Sequence, residues 1–146
     1  MKLENNWRYK NLESLEKDSW RPTLKEESYL VITMHELRKK QLNDFTIEDL
    51  RIMIGQNIGL PFLVPLAIEQ LEKNILVEGD FYEGDLLKNV LGSDPEYWKS
   101  EKTNWQTVTE LFLSNEQTLD EFDTTRNIKN GWKEEFKKFR NINSGV

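Results

Sequence analysis

Cysteine is absent from this 146-residue sequence, and histidine occurs once, as His35. The first absence removes disulfides, thiolate nucleophiles and cysteine metal sites together, and it suits a reducing compartment. The second excludes any site built on two histidines and leaves a serine–histidine–acid triad a single candidate base. That base stands in the charged string His35-Glu36-Leu37-Arg38, where a surface or capping role is expected. Long apolar runs are missing too. Nothing approaches the roughly 20 residues of a membrane span, and Met1-Lys2-Leu3-Glu4-Asn5-Asn6 has no apolar signal region. A cytoplasmic protein with no membrane partner is expected. There is no Walker loop, dinucleotide fingerprint or nucleophile elbow, and no stretch rich in glycine, serine and proline divides the chain. The expectation is one domain over residues 1–146.

What is present is charge, unevenly spread, and aromatic rings. The net charge is −6, which makes a phosphate backbone a poor primary partner. Residues 1–27 balance. Residues 74–87 carry Glu78, Asp80, Glu83 and Asp85 and no base; residues 103–125 carry Glu110, Glu116, Asp120, Glu121 and Asp123, again with no base. Residues 126–140 reverse sign, with Arg126, Lys129, Lys133, Lys137, Lys138 and Arg140 against Glu134 and Glu135. This basic segment reads as a solvated helix face that can also pair with residues 103–125.

Apolar spacing is helical almost throughout, and long alternating stretches are absent. Trp7, Tyr9, Leu12, Leu15 and Trp20 suggest one short helix with flanking aromatics, interrupted at Pro22. Leu30, Met34, Leu37 and Gln41 fall at helical spacing, although Leu30-Val31-Ile32-Thr33 also suits a strand start. Thr46 and Asp49 form a capping pattern, with Phe45 placed to staple onto Leu50. After Gly59, residues Leu60, Leu63, Val64, Ala67, Ile68 and Leu71 match one helical face, with Pro61 in the first turn and Pro65 as a kink or a displaced start. Asp80 and Glu83 make a second capping pattern before Leu86, Leu87, Val90 and Leu91. Asp94-Pro95 opens a helix carrying Trp98, Trp105, Val108 and Phe112, with a break near Thr103-Asn104. Ile128, Trp132, Phe136 and Phe139 close the pattern, and Asn130-Gly131 is a turn signal inside it. The fold class is all-α, a bundle of about six to seven helices.

Chemistry is harder to find. The string EGDFYEGDLL at 78–87 is acidic enough for a calcium loop, but placing Gly84 at the sixth position puts Gly79 and Phe81 where oxygen ligands belong. Asp80 and Glu83 are close enough in sequence for general acid–base work, with helix capping as the plainer role. Trp98 and Trp105 read as core; Trp7 and Trp20, in polar surroundings, are candidates for exposure at an interface.

The central strings carry more. HELRKK at 35–40, FTIEDLRIMIGQNIGLPFLVPLAIEQLE at 45–72, EGDFYEGDLL at 78–87 and PEYW at 95–98 occur in an order and spacing that resembles the immunity proteins of bacterial contact-dependent growth inhibition (CDI) systems. The resemblance covers about residues 28–98. Gln41 stands where the family usually has proline, and an Asp-Pro pair usual near Asn74-Ile75 is missing. The resemblance implies a cytoplasmic protein, without cofactor or catalytic activity, that binds and neutralises the C-terminal toxin domain of its own system, often a nuclease. An acidic protein suits capture of a basic nuclease, since complementary charge speeds encounter. The expected contacts are exposed acids with aromatic neighbours: Glu78, Asp80, Glu83 and Asp85 with Tyr82, then Glu116, Asp120, Glu121 and Asp123. A helical adaptor for an unrelated protein and a small hydrolase using Asp80 and Glu83 are the competing readings.

Overall fold

The computed structural model describes residues 3–24 and 26–143. Among these residues the chain forms nine α-helices: α1 (Leu12–Glu16), α2 (Tyr29–Lys39), α3 (Ile47–Gly55), α4 (Leu60–Lys73), α5 (Asp85–Leu91), α6 (Pro95–Ser100), α7 (Lys102–Ser114), α8 (Glu116–Glu121) and α9 (Arg126–Asn141). Short 3-10 turns at Trp7–Tyr9 and Leu42–Asp44 precede α1 and α3. The all-α expectation is met, and six of the nine helices run seven residues or longer.

Helix α4 is the centre. Eight of its residues are buried, from Leu60 to Leu71, so it is apolar on more than one face, as a helix packed on several sides must be. Gly59, at φ +66°, turns the chain into it, and the helix runs on through Pro65, whose missing N–H deprives only one i−4 carbonyl of its donor. Helix α3 packs on α4 and α5, and α4 also packs on α7. The α3 start has the expected capping box: Thr46 Oγ1 accepts the Asp49 N–H at 3.1 Å, and Asp49 Oδ2 accepts the Thr46 N–H at 3.0 Å. Leu50, Met53 and Ile54 face inward from it, and Leu86, Leu87, Val90 and Leu91 come down from α5 to meet them.

At the N-terminal end, α1 is shorter than the aromatic spacing suggests. It stops at Lys17, whose φ is +53°, five residues before Pro22. Residues 29–39 are helix, with Ser28 Oγ accepting the Val31 N–H at 3.2 Å, so the strand alternative at Leu30–Thr33 is not realised. Arg38 on this helix is buried. It pairs with Glu16, donates to the Asp18 carbonyl, and lies 4.5 Å over the Trp20 ring, which ties the first segment down.

The C-terminal half wraps this core. Asp94 caps α6 as expected, and the break before α7 falls at Glu101, slightly earlier than Thr103-Asn104. Helix α9 is continuous through Asn130-Gly131. Trp132, Phe136 and Phe139, all just beyond that pair, are buried and Ile128 before it is half-buried, and that burial outweighs the roughly 1 kcal/mol that a mid-helix glycine costs. Phe136 stacks on Phe112 of α7 with ring centroids 3.8 Å apart. The Trp105 indole donates to the Phe139 carbonyl at 2.8 Å.

Candidate functional site

The acidic segment between α4 and α5 is a tight loop. The Glu78 and Glu83 backbones form an isolated antiparallel bridge, and Gly84, at φ +88°, donates its N–H to the Leu76 carbonyl at 3.1 Å. Asp85 then does what neither Asp80 nor Glu83 does. Its carboxylate, 2% exposed, accepts the N–H groups of Gly79, Phe81 and Tyr82 at 2.7, 3.1 and 3.3 Å. The expected Asp80–Glu83 cap is therefore corrected: the residue preceding α5 is Gly84, which has no side chain to cap with. Asp85 is also corrected as an exposed acid. Its oxygens point into the loop, because three otherwise orphaned donors converge there.

Helix α3 clamps the same loop from outside. Glu48 and Arg51 share two hydrogen bonds of 2.6 Å, Glu48 Oε1 accepts the Asp80 N–H at 2.8 Å, and Arg51 Nε lies 3.8 Å from Asp85 Oδ2. The guanidinium also sits 4.0 Å over the Phe81 ring. Hydrogen bonding to Arg51 holds the Glu48 carboxyl below its usual range, and Glu48 in turn pushes Arg51 further up. Burial raises the Tyr82 phenol. The effect of these contacts is a rigid backbone with its acids turned outward: Glu78, Asp80 and Glu83 are exposed, and Tyr82 is half-buried. Phe81 is 70% exposed, so it is the more exposed ring of the loop, with the half-buried Tyr82 beside it.

The second acidic group lies on and after α8. Glu116, Asp120, Glu121 and Asp123 are all exposed. Asp120 also pairs with Lys133 of α9 at 3.1 Å, and its carbonyl accepts from Lys129 at 2.6 Å; Glu121 accepts from Gln117 at 3.0 Å. The pairing between the basic helix and residues 103–125 is thus real at Asp120. Both acidic groups reach the same turn of α9, because Trp132, between Lys129 and Lys133, donates its indole N–H to the Gly84 carbonyl at 3.1 Å.

Elsewhere, His35 is half-buried, with Nδ1 2.9 Å from the Val31 carbonyl and its ring edge-on to Trp20. Trp7 is buried and Trp20 half-buried, so neither is an open platform. Among the described residues no cluster of three histidine, aspartate or glutamate side chains is arranged to hold a metal ion, and no helix is long and apolar enough to cross a membrane.

Residues 14–108 match the family model of the CDI immunity proteins, which is more than half of the chain. The chain belongs to that family. A comparison with curated proteins returns no match. The matched stretch extends the 28–98 resemblance at both ends and takes in α2 to α6, the acidic loop and its Glu48–Arg51 clamp. An immunity protein has a toxin as its partner, so the surface to find is the one the toxin meets. In this immunity protein the loop at 78–84 is the best-formed candidate. Phe81 and the two clamp residues were missed in the sequence. Arg51 sits at i+3 from Glu48, a spacing that signals an ion pair, but nothing local says that the pair holds a loop some 30 residues on.

Proposed function

We propose that this immunity protein neutralises its toxin by direct binding in the cytoplasm, without catalysis, and that the toxin is a nuclease domain basic at its contact surface. The observation that carries the reading is the loop at 78–84. Three exposed acids and an exposed aromatic ring stand on a backbone pinned by Asp85 and Glu48. Pre-organisation lowers the ordering cost of binding, charge of one sign speeds encounter with a basic partner, and an exposed ring beside a guanidinium is a common anchor of protein interfaces. Glu78, Asp80, Phe81 and Glu83 are the contacts proposed first, with Tyr82 supporting them. Glu116, Asp120, Glu121 and Asp123 form a second, smaller acidic patch on the other side of α9, with Glu116 and Asp120 bordering the basic face of that helix. Asp85 acts as the positioning residue.

Co-expression with the toxin domain encoded beside this gene tests the reading. Survival of the cells with a one-to-one complex on purification supports it. Death of the cells, or survival with no complex, sinks it and favours a helical adaptor for some other protein.

A further inference from the structure

A second feature lies across Trp132 from the acidic loop. Helices α7, α8 and α9 enclose a groove of about 420 Å³. Its floor is apolar and fixed, made of the stacked Phe112 and Phe136 with Leu119 and Trp132, and Leu113 stands on its rim, 38% exposed. Its charge is opposite to that of the loop. Lys129, Lys133, Lys137 and Arg140 line it against Glu116 and Asp120. Lys129 and Lys133 are occupied by Asp120, whereas Lys137 and Arg140 have no ion-pair partner among the described residues. Every residue lining the groove follows residue 108, outside the stretch shared with the family.

We infer that this groove seats one protruding apolar side chain of the toxin, flanked there by carboxylates that pair with Lys137 and Arg140. The inference rests on the toxin-binding reading above and adds a second, oppositely charged contact to it. The volume is at the low end of the roughly 300–1,000 Å³ of ligand pockets, which admits a side chain and its neighbours. Two free cations above an apolar floor select an apolar group with anionic flanks; they repel the basic surface that the acidic loop attracts. Trp132 ties the two features together: its indole supports Gly84 of the loop and its ring floors the groove, so a toxin that covers both meets both charges. Opposite charges on adjacent patches allow the partner one orientation and penalise a toxin with the reverse pattern.

The test uses the full chain and the toxin domain encoded beside it. Dissociation of the complex is followed for the wild type, for Lys137→Glu with Arg140→Glu, and for Leu113→Asp; circular dichroism verifies that each is folded. The toxin-free protein is titrated with anilinonaphthalene sulfonate, a probe with an apolar body and an anionic head. The inference expects both variants to release toxin about tenfold faster or more, and the charge-reversed variant to lose probe fluorescence that toxin displaces from the wild type. Wild-type release rates in folded variants overturn the groove contact while the toxin-binding reading stands. Probe fluorescence that survives both the charge reversal and the addition of toxin overturns it equally. If the wild type captures no toxin, the underlying reading fails and the inference falls with it.

Discussion

The Trp132 indole lies against Gly84: its Nε1 donates to the Gly84 carbonyl at 3.1 Å, and a Cβ added to Gly84 would meet Cζ2 of the ring at 2.3 Å. One contact thus joins the last long helix to the acidic loop some 50 residues earlier, and it needs a residue with no side chain at a φ of +88°. Replacing Gly84 by alanine imposes a left-handed backbone on a residue with a Cβ, about 1–2 kcal/mol, and displaces a fully buried ring, about 1–3 kcal/mol more. Gly84→Ala is expected to lose roughly 2–5 kcal/mol in urea unfolding. Wild-type stability in that variant would mean that the ring and the loop are not so coupled.

Asp85 predicts a separable effect. Asp85→Asn keeps the shape but turns an amide N–H₂ toward N–H donors that the carboxylate now satisfies. Leaving a buried donor unmet costs about 1–3 kcal/mol. Amide exchange at Gly79, Phe81 and Tyr82 should quicken more than exchange in α4, because the change loosens the loop and not the core. Uniform acceleration throughout the chain would contradict a local role.

The clamp on α3 gives a pH dependence. The Glu48 carboxyl is held below the usual glutamate range by Arg51 and by the Asp80 N–H. A depressed folded-state pKa contributes stability that is present above the unfolded value of 4.5 and is lost as pH falls through the folded one. Glu48→Gln should therefore flatten the acid limb of the stability curve. At the other end Tyr97, buried and accepting from Asn104, is pushed up to about 12. Its neutral form is favoured by the fold, so its contribution is complete below pH 10 and fades as pH rises toward 12. Tyr97→Phe should remove that alkaline slope; a slope unchanged in the variant assigns it to other groups.

Phe81 should matter to binding and little to folding. It is 70% exposed and lies under the Arg51 guanidinium, a contact worth about 0.5–1 kcal/mol at an exposed site. Phe81→Ala is expected to shift unfolding by no more than about that, while weakening toxin affinity by about 2 kcal/mol or more if the ring anchors the interface. Unchanged affinity would remove Phe81 from the contact.

Much of this was legible in the sequence because it is local. The Thr46–Asp49 capping box, the Asp94-Pro95 start and the inward faces of α4 and α5 follow from spacings of three and four residues. The failures involve distance. Asn130-Gly131 is a turn signal by itself, and only the burial of Trp132, Phe136 and Phe139 keeps α9 whole. Asp80 and Glu83 match a cap, but Gly84 in a left-handed conformation moved the helix start past them and gave the inward role to Asp85. The acidic character of 78–85 was plain; which acids face out was not, because Glu48 and Arg51 lie on another helix. The groove beside α9 was invisible for the same reason, as its floor joins α7, α8 and α9 only in three dimensions.

The most direct measurement is the association rate of the toxin domain with the wild type and with Glu78→Lys, Asp80→Lys and Glu83→Lys combined, followed over a range of salt. These three side chains are exposed, and the Glu78–Glu83 bridge and the Asp80 N–H bond to Glu48 do not involve them, so circular dichroism should show an unchanged fold. Steered association predicts a wild-type rate that falls steeply with salt, and a variant slowed by about tenfold or more at low salt with its dependence flattened. A folded variant that captures toxin as fast as the wild type, with the same salt dependence, would contradict the claim that the toxin meets this protein through the acidic loop.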